Sequence, residues 1–398
     1  MIRLAKRLEA LQSNVFADMD LAKAKAKASG KEIIDLSLGS SDLPAPEIAI
    51  AAMEKSLRET STHGYALFQS TQAFRQAAAS WYTKRYGVEI NPETEVLSLI
   101  GCQEGTAHLP LALLNPGDYA LLQDPGYPSH AGGVALAGGQ IYPMALRAEN
   151  QFLPVFEEIP ADILAKSRLM VLSYPHNPTT AIASRDFFDS AVAFCRQHNL
   201  VLVHDFPYAD IVFPGTPTPP SILQADPHKE VSLEFFTFSK SYNMGGFRIG
   251  YAVGNEQLIK ALRQVKSVVD FNQYRGILNG GIAALESPEE IVQATVETFR
   301  QRRDVFVQAL SEIGWSVHSP PATMYVWAKL PEKYSHGSVK FCTELVKQTG
   351  VAVSPGAGFG KSGEGYVRFA LVREPSILQT AAKRISAFLV KEKVSNQT

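Results

Sequence analysis

The chain has 398 residues, of which 45% are hydrophobic and 19% charged, enough to bury a large core spread over two or three domains. A formal net charge of −1 offers no field to gather nucleic acid or to hold an anionic membrane surface, and no apolar stretch is long enough to cross a bilayer. Three scattered cysteines, Cys102, Cys195 and Cys342, have neither metal spacing nor a disulfide framework. With no apolar signal core over residues 1–8, they fit a reducing cytoplasm, where we expect the protein to reside.

In chain order, the first thirty residues read as an amphipathic arm ending at Gly30, with Lys and Ala alternating over 22–28 as a solvated helical face. Residues 33–38 read as a short strand, 47–57 as a helix, and 71–86 as a second helix with Phe74, Ala78 and Trp81 near helical spacing. Tyr65 lies in the polar loop between those helices. Strands and helices then alternate. Strands are expected at 96–100, 119–123, 140–144, 169–173, 200–203, 235–238 and 249–253. Helices begin after Gly101 and after Pro128, and a third runs over 186–198 with the stripe Phe188, Ala191, Val192 and Cys195. This alternation predicts an α/β fold with a mostly parallel sheet between helices. A helix over 256–269 is expected to leave that domain. Beyond Pro288 a long helix to Ile313, strands at 315–318, 325–328 and 366–369, and helices at 338–348 and 376–390 predict a smaller α+β domain. The expected division is 1–45 as an arm on the small domain, 46–285 as the large domain and 286–398 as the small one.

In such sheets ligands gather beyond the carboxyl ends of the strands, and the distinctive polar residues fall there. The most telling stretch is Phe235-Phe236-Thr237-Phe238-Ser239-Lys240, followed by a Gly-rich turn carrying Arg248. A lysine leaving a buried strand among cations is favoured as the neutral amine that forms Schiff bases. Thr237, Ser239 and Arg248 are the donor types that hold a phosphate. Alone, Lys240 reads more simply as a solvated loop residue; the other strand ends decide against that. Gly101-Cys102-Gln103 opens a helix, whose free amides favour an anion.

Taken together, these residues resemble the fold-type I pyridoxal-phosphate (PLP) enzymes of aminotransferase class I/II, over most of the chain. Tyr174-Pro175-His176-Asn177-Pro178-Thr179 resembles the family's Asn-Pro loop, and His204-Asp205-Phe206-Pro207-Tyr208 its Asp-x-x-Tyr strand end. Thr237-x-Ser239-Lys240 with Gly246-x-Arg248-x-Gly250 resembles its Schiff-base lysine and phosphate arginine. The resemblance implies a seven-stranded large domain and PLP as cofactor. Lys240 is implied as the Schiff-base and proton-shuttling residue. Asp205 would lie on the pyridine nitrogen, Tyr208 and Asn177 on the phenolate oxygen, and Tyr127 against the ring. Cys102, Gln103, Thr237, Ser239 and Arg248 are implied around the phosphate. For substrate, Arg368 resembles the α-carboxylate arginine and Gly39 the glycine whose amide meets the same carboxylate. Tyr65 resembles the tyrosine that reaches the neighbouring subunit's phosphate. Asn272 likewise resembles a residue that crosses to the partner, so a homodimer with shared active sites is implied. Arg275 could reach the same mouth and meet a substrate's distal carboxylate.

The implied reaction is a ping-pong exchange between an L-amino acid and a 2-oxo acid. Residues 35–39, 95–101 and 240–245 look closest to the LL-diaminopimelate aminotransferase group. Gln103 stands where that group often has lysine, Ser70 where it has glycine, and Gly39-Ser40-Ser41-Asp42 lacks its acidic-proline pair, which leaves the substrate open. A C–S β-lyase or decarboxylase could use the same electron sink. A PLP-sensing regulator would need an appended DNA-binding segment, and a non-catalytic binder would not need Lys240, Asp205 and Arg248 together. His204-Asp205 alone could suggest a metal, but no further ligand appears at metal spacing. His176 reads as a loop histidine, and Cys102 as standing where the family has a small residue.

Overall fold

The computed structural model describes residues 2–11, 15–334 and 337–394. Its strands are β1 (Ile34–Asp35), β2 (Val96–Leu99), β3 (Tyr119–Asp124), β4 (Gln140–Ala145), β5 (Ser167–Leu172), β6 (Val201–Asp205), β7 (Ser232–Thr237), β8 (Gly250–Gly254), β9 (Tyr325–Lys329), β10 (Val351–Ala352), β11 (Ser354–Pro355) and β12 (Tyr366–Ala370). Seven form one sheet in the order β2-β8-β7-β6-β5-β3-β4, parallel throughout except for β8, which runs antiparallel to β2 and β7. The central strands are buried on both faces, as a sheet covered on two sides requires. One covering helix, Arg185–Gln197, starts where the Ser184 side chain accepts from the Phe187 amide, and it buries the stripe Phe188, Ala191, Val192 and Cys195. The expected α/β sheet with seven strands is therefore present.

Three expectations differ from the fold. Helix Glu256–Val269 does not leave the sheet: Leu258, Ile259 and Leu262 join Leu97, Leu99 and Leu109 in one core. Helix Arg275–Leu285 went unpredicted because Gly276, Gly280 and Gly281 weaken its propensity. The glycines let it lie close to helix Glu47–Arg58, and a Cβ on Gly280 would come within 2.8 Å of Met53. Residues 315–318 are not a strand. Trp315 returns its amide to Leu310 O and its indole N–H to Lys329 O, and Pro320 and Pro321 follow, with no N–H to continue a ladder.

A second, antiparallel sheet has the order β11-β12-β9, with Arg368 on its middle strand opposite Ser354 and Trp327. β1 pairs in parallel with β10. Met19, Ile34 and Leu36 share one core with Phe306, Val351 and Phe369, so the segment around β1 packs with the C-terminal third of the chain.

Candidate active site

Thr237 ends β7 and caps a single helical turn, Phe238–Ser241, by accepting from the Ser239 amide. That turn carries Lys240 away from the sheet. Its Nζ donates to Gly39 O at 2.5 Å and lies 5.7 Å from the centre of the Tyr208 ring. Gly39 arrives from the segment after β1, and nothing but glycine fits there: a Cβ would lie 2.1 Å from Tyr325 Oη. The Tyr208 hydroxyl donates to Tyr325 Oη at 2.8 Å, and both phenols are buried. Burial, aided by Tyr325, pushes the Tyr208 phenol well above its ordinary value.

Asp205 closes β6 with both oxygens buried. Its Oδ2 meets His130 Nε2 at 3.0 Å, while Oδ1 has no hydrogen-bond partner. A carboxylate oxygen in such a place calls for a stronger donor than the weakly donating Cys102 thiol beside it. Half-buried Cys102 stands beside it. Desolvation and then the Asp205 carboxylate push its thiol well above the usual range, against the opposing charges of Lys240 and Arg248. Cys102 is thus a thiol, not a thiolate, and four expected site residues share one electrostatic neighbourhood. Tyr127, N-terminal to helix Pro128–Ala137, is half-buried, lies edge-on to His130 at 5.7 Å, and is also within reach of Cys102 and Asp205.

An anion cradle forms where β2 turns into helix Cys102–Leu113. Gly101 holds φ +91°, open to glycine, and a Cβ there would lie 2.7 Å from an Arg248 Nη atom. Arg248 itself takes a left-handed φ of 54°, a strained conformation of the kind held at functional sites. The turn is braced from below. Glu104 Oε2 accepts from the Ile100 amide at 2.6 Å, and both its oxygens meet the buried Lys266 Nζ at 2.8 and 2.9 Å. Thr237 Oγ1 and Ser239 Oγ are 2.9 Å apart, and Thr237 Oγ1 lies 3.4 Å from the carbonyl of Ile249, the residue after Arg248. Gln103 follows Cys102 but is exposed.

Arg368 is buried between sheets. Nη1 donates to Asn177 Oδ1 at 2.8 Å and Nη2 to Ser37 O at 2.8 Å, while Nε is unpartnered. Its guanidinium lies 4.2 Å over the Tyr325 ring and 4.7 Å from Phe359. The structure thus brings Gly39, Lys240 and Tyr208 together, joins Arg368 to Asn177, and sets Asp205 by Cys102 and Arg248 by Gly101.

The remaining residues lie apart. Tyr65 is 89% exposed and edge-on to Phe271. Asn272 donates to Ala66 O at 2.8 Å and accepts from Ser98 Oγ at 3.2 Å, bracing the Tyr65 loop in its own chain. Arg275 donates to Ser61 O. His204 points to the opposite face of β6 from Asp205, as strand alternation dictates, and is bound to Glu234 at 2.7 Å. His176 is buried, paired through Nδ1 with Thr179 and pushed down to about 3, by burial first and then by His130. Sequence reasoning missed His130 and Tyr325. The first was legible in principle, one helical turn after Tyr127; the second reads as one more core aromatic in β9.

The model of aminotransferase class I and II matches residues 31–385. The chain belongs to that family. An LL-diaminopimelate aminotransferase of Dehalococcoides mccartyi is 43% identical over 387 residues, 97% of this chain and 99% of that one. One from Trichormus variabilis is 41% identical, over 96% and 98%. Among solved structures, a probable N-succinyldiaminopimelate aminotransferase from Thermus thermophilus superposes with a TM-score of 0.88 at 42% identity, covering 94% and 99%. Substrate-bound BacF of Bacillus subtilis gives 0.93 at 35% identity, covering 98% of each chain. This aminotransferase is a fold-type I, PLP-dependent transaminase. The residues fit that cofactor: an orphaned buried carboxylate oxygen, a lysine and an anion cradle converge on the ends of β6, β7 and β2. Among the described residues no helix is long and apolar enough to cross a membrane.

Proposed function

We propose that this aminotransferase acts on LL-diaminopimelate as amino donor, with a 2-oxo acid as acceptor. Relatives bearing that name at about 40% identity over nearly the whole chain support the reading, and they favour transamination over a lyase reaction. The observation that carries the site is Asp205 Oδ1, buried without a partner at the end of β6.

When bound, the cofactor supplies an electron sink for the pair left on the substrate's Cα. Lys240 Nζ would anchor it and afterwards move the α-proton, a task suited to a flexible amine only half-buried. Asp205 Oδ1 would keep the ring nitrogen protonated. Tyr208 Oη and Asn177 would donate to the phenolic oxygen, and Tyr127 would cover the ring. The amides of Cys102 and Gln103, with Thr237, Ser239 and Arg248, would hold the phosphate. The Arg368 fork and the Gly39 amide grip the α-carboxylate and so orient the Cα–H bond.

We further read the protein as a homodimer in which Tyr65, Asn272 and Arg275 serve the partner's site. The exposure of Tyr65, 89%, and Leu67, 58%, supports a covered face there. The arm, large domain and small domain are read as 1–45, 46–285 and 286–398, and the location as cytoplasmic.

The experiment is a single-turnover panel that follows the change in cofactor absorption with LL-diaminopimelate, glutamate, aspartate, alanine and an aromatic amino acid. LL-diaminopimelate is expected to react fastest. No reaction with it alongside turnover of another amino acid overturns the substrate, and ammonia with pyruvate from cystathionine overturns transamination. Lys240→Ala is expected to lose the absorption band near the visible edge. Light scattering checks the dimer.

A further inference from the structure

Tyr325 meets three residues to which roles are assigned above: Tyr208, Gly39 and Arg368. Its hydroxyl receives the Tyr208 proton at 2.8 Å. The same oxygen blocks the space beside Gly39, whose carbonyl holds Lys240. Its ring is the platform beneath the Arg368 guanidinium at 4.2 Å. The residue is 1% exposed and enters from β9, the sheet neighbour of Arg368's own strand. One side chain thereby links the carboxylate grip to the group proposed to act on the cofactor's phenolic oxygen.

A phenol has a single proton to donate. In this pair Tyr208 spends that proton on Tyr325, so Tyr325 competes with the cofactor for it. The electrostatics agree on which phenol accepts. Burial alone pushes the Tyr325 phenol up, yet Lys240, Arg368 and the Tyr208 donation outweigh it and bring it below the ordinary tyrosine value.

We propose that Tyr325 is a positioning residue with two separable parts: its hydroxyl restrains donation by Tyr208, and its ring seats Arg368. The proposal rests on the assignment of Tyr208 to the phenolic oxygen. Removing the hydroxyl frees the Tyr208 proton for the cofactor, whereas removing Tyr208 takes the donor away. A donor to that oxygen lowers the pH at which the lysine-bound cofactor titrates, because it withdraws charge that would otherwise stabilise the neighbouring proton. The two Tyr→Phe substitutions therefore act in opposite directions.

The test is a pH titration of the bound cofactor's absorption in Tyr325→Phe and Tyr208→Phe holoenzymes beside the unaltered protein. Tyr208→Phe is expected to raise the midpoint and Tyr325→Phe to lower it, by roughly half a pH unit. A structural role alone would loosen Tyr208 and move both variants the same way. That result, or an unmoved midpoint in Tyr325→Phe, overturns the proposal. An unmoved midpoint in Tyr208→Phe overturns the assignment of Tyr208 and the proposal with it. The ring is tested separately. Tyr325→Leu is expected to raise KM for the amino donor about tenfold while Tyr325→Phe leaves it nearly unchanged. Equal KM effects overturn the platform role.

Discussion

Arg368 Nη1 and Asn177 Oδ1, 191 positions apart in the chain, are joined by a 2.8 Å hydrogen bond in a buried setting. The bond ties the middle strand of the small sheet to the loop after β5, so the proposed carboxylate grip and the proposed cofactor site share an atom pair. A hydrogen bond to a charged group contributes about 1.5–3 kcal/mol. Asn177→Ala is therefore expected to raise KM for the amino donor at least ~10-fold, measured by steady-state kinetics. An unchanged KM would show that Ser37 O and Ser354 Oγ suffice to aim the guanidinium.

The His130–Asp205 contact at 3.0 Å leaves one carboxylate oxygen held and the other waiting. Asp205→Asn keeps the shape but loses the charge proposed to keep a ring nitrogen protonated. We expect kcat to fall by at least ~10²-fold. His130→Phe removes only the support, and cofactor affinity measured by fluorescence quenching is expected to weaken while most of kcat survives in the loaded enzyme. Equal losses in the two variants would make His130 more than a support.

Gly39 tests how tightly Tyr325 is seated. In Gly39→Ala the added methyl meets the Tyr325 hydroxyl, and overpacking of this kind costs about 1–3 kcal/mol. Urea unfolding is expected to show that loss. Pairing Gly39→Ala with Tyr325→Phe should restore part of it, since the two positions are in contact; strict additivity would mean the backbone, and not the tyrosine, absorbs the methyl.

His176 makes stability depend on pH. In the folded protein it is pushed down to about 3 by burial and by His130, whereas an unfolded histidine titrates near ~6.5. Between those values the unfolded chain binds a proton that the native chain refuses, so stability rises with pH. The contribution is fully present above about pH 6.5 and is lost as pH falls toward about 3, by roughly 2 kcal/mol between pH 6.5 and 5. His176→Gln should flatten this slope in urea titrations at pH 7 and pH 5. An unaltered slope would assign the acid sensitivity to other groups.

Arg275 opens helix Arg275–Leu285 and is anchored to Ser61 O, in the loop leading to Tyr65. If that loop faces the partner's site, Arg275→Ala slows a donor with a distal carboxylate, glutamate, several-fold more than alanine. Equal losses, or none, would return Arg275 to an ordinary surface role.

Much of the candidate site was legible in the sequence because its residues sit at or just beyond strand ends, where a short apolar run stops and polar residues begin. Lys240, Asp205 and Asn177 all announce themselves in that way. What was hidden depends on contacts between distant segments. Tyr325 lies inside an apolar strand, Ile-like in its periodicity, and only its meeting with Tyr208 and Gly39 shows it to be part of the site. Helix Arg275–Leu285 was hidden for a related reason: its glycines argue against a helix locally and for close packing globally. Residues 315–318 show the reverse error, a β-like pattern whose neighbouring prolines deny it a ladder.

The pairing of β1 with β10 spans only two residue pairs, Ile34 with Val351 and Asp35 with Ala352. Four residues later the same segment presents Gly39 O to Lys240. A mechanical load on the N-terminal end would thus reach this short zipper before it reached the seven-stranded sheet. Under tension Gly39 would be drawn away from the proposed carboxylate grip while the sheet was still intact, so substrate binding would fail at a lower force than unfolding.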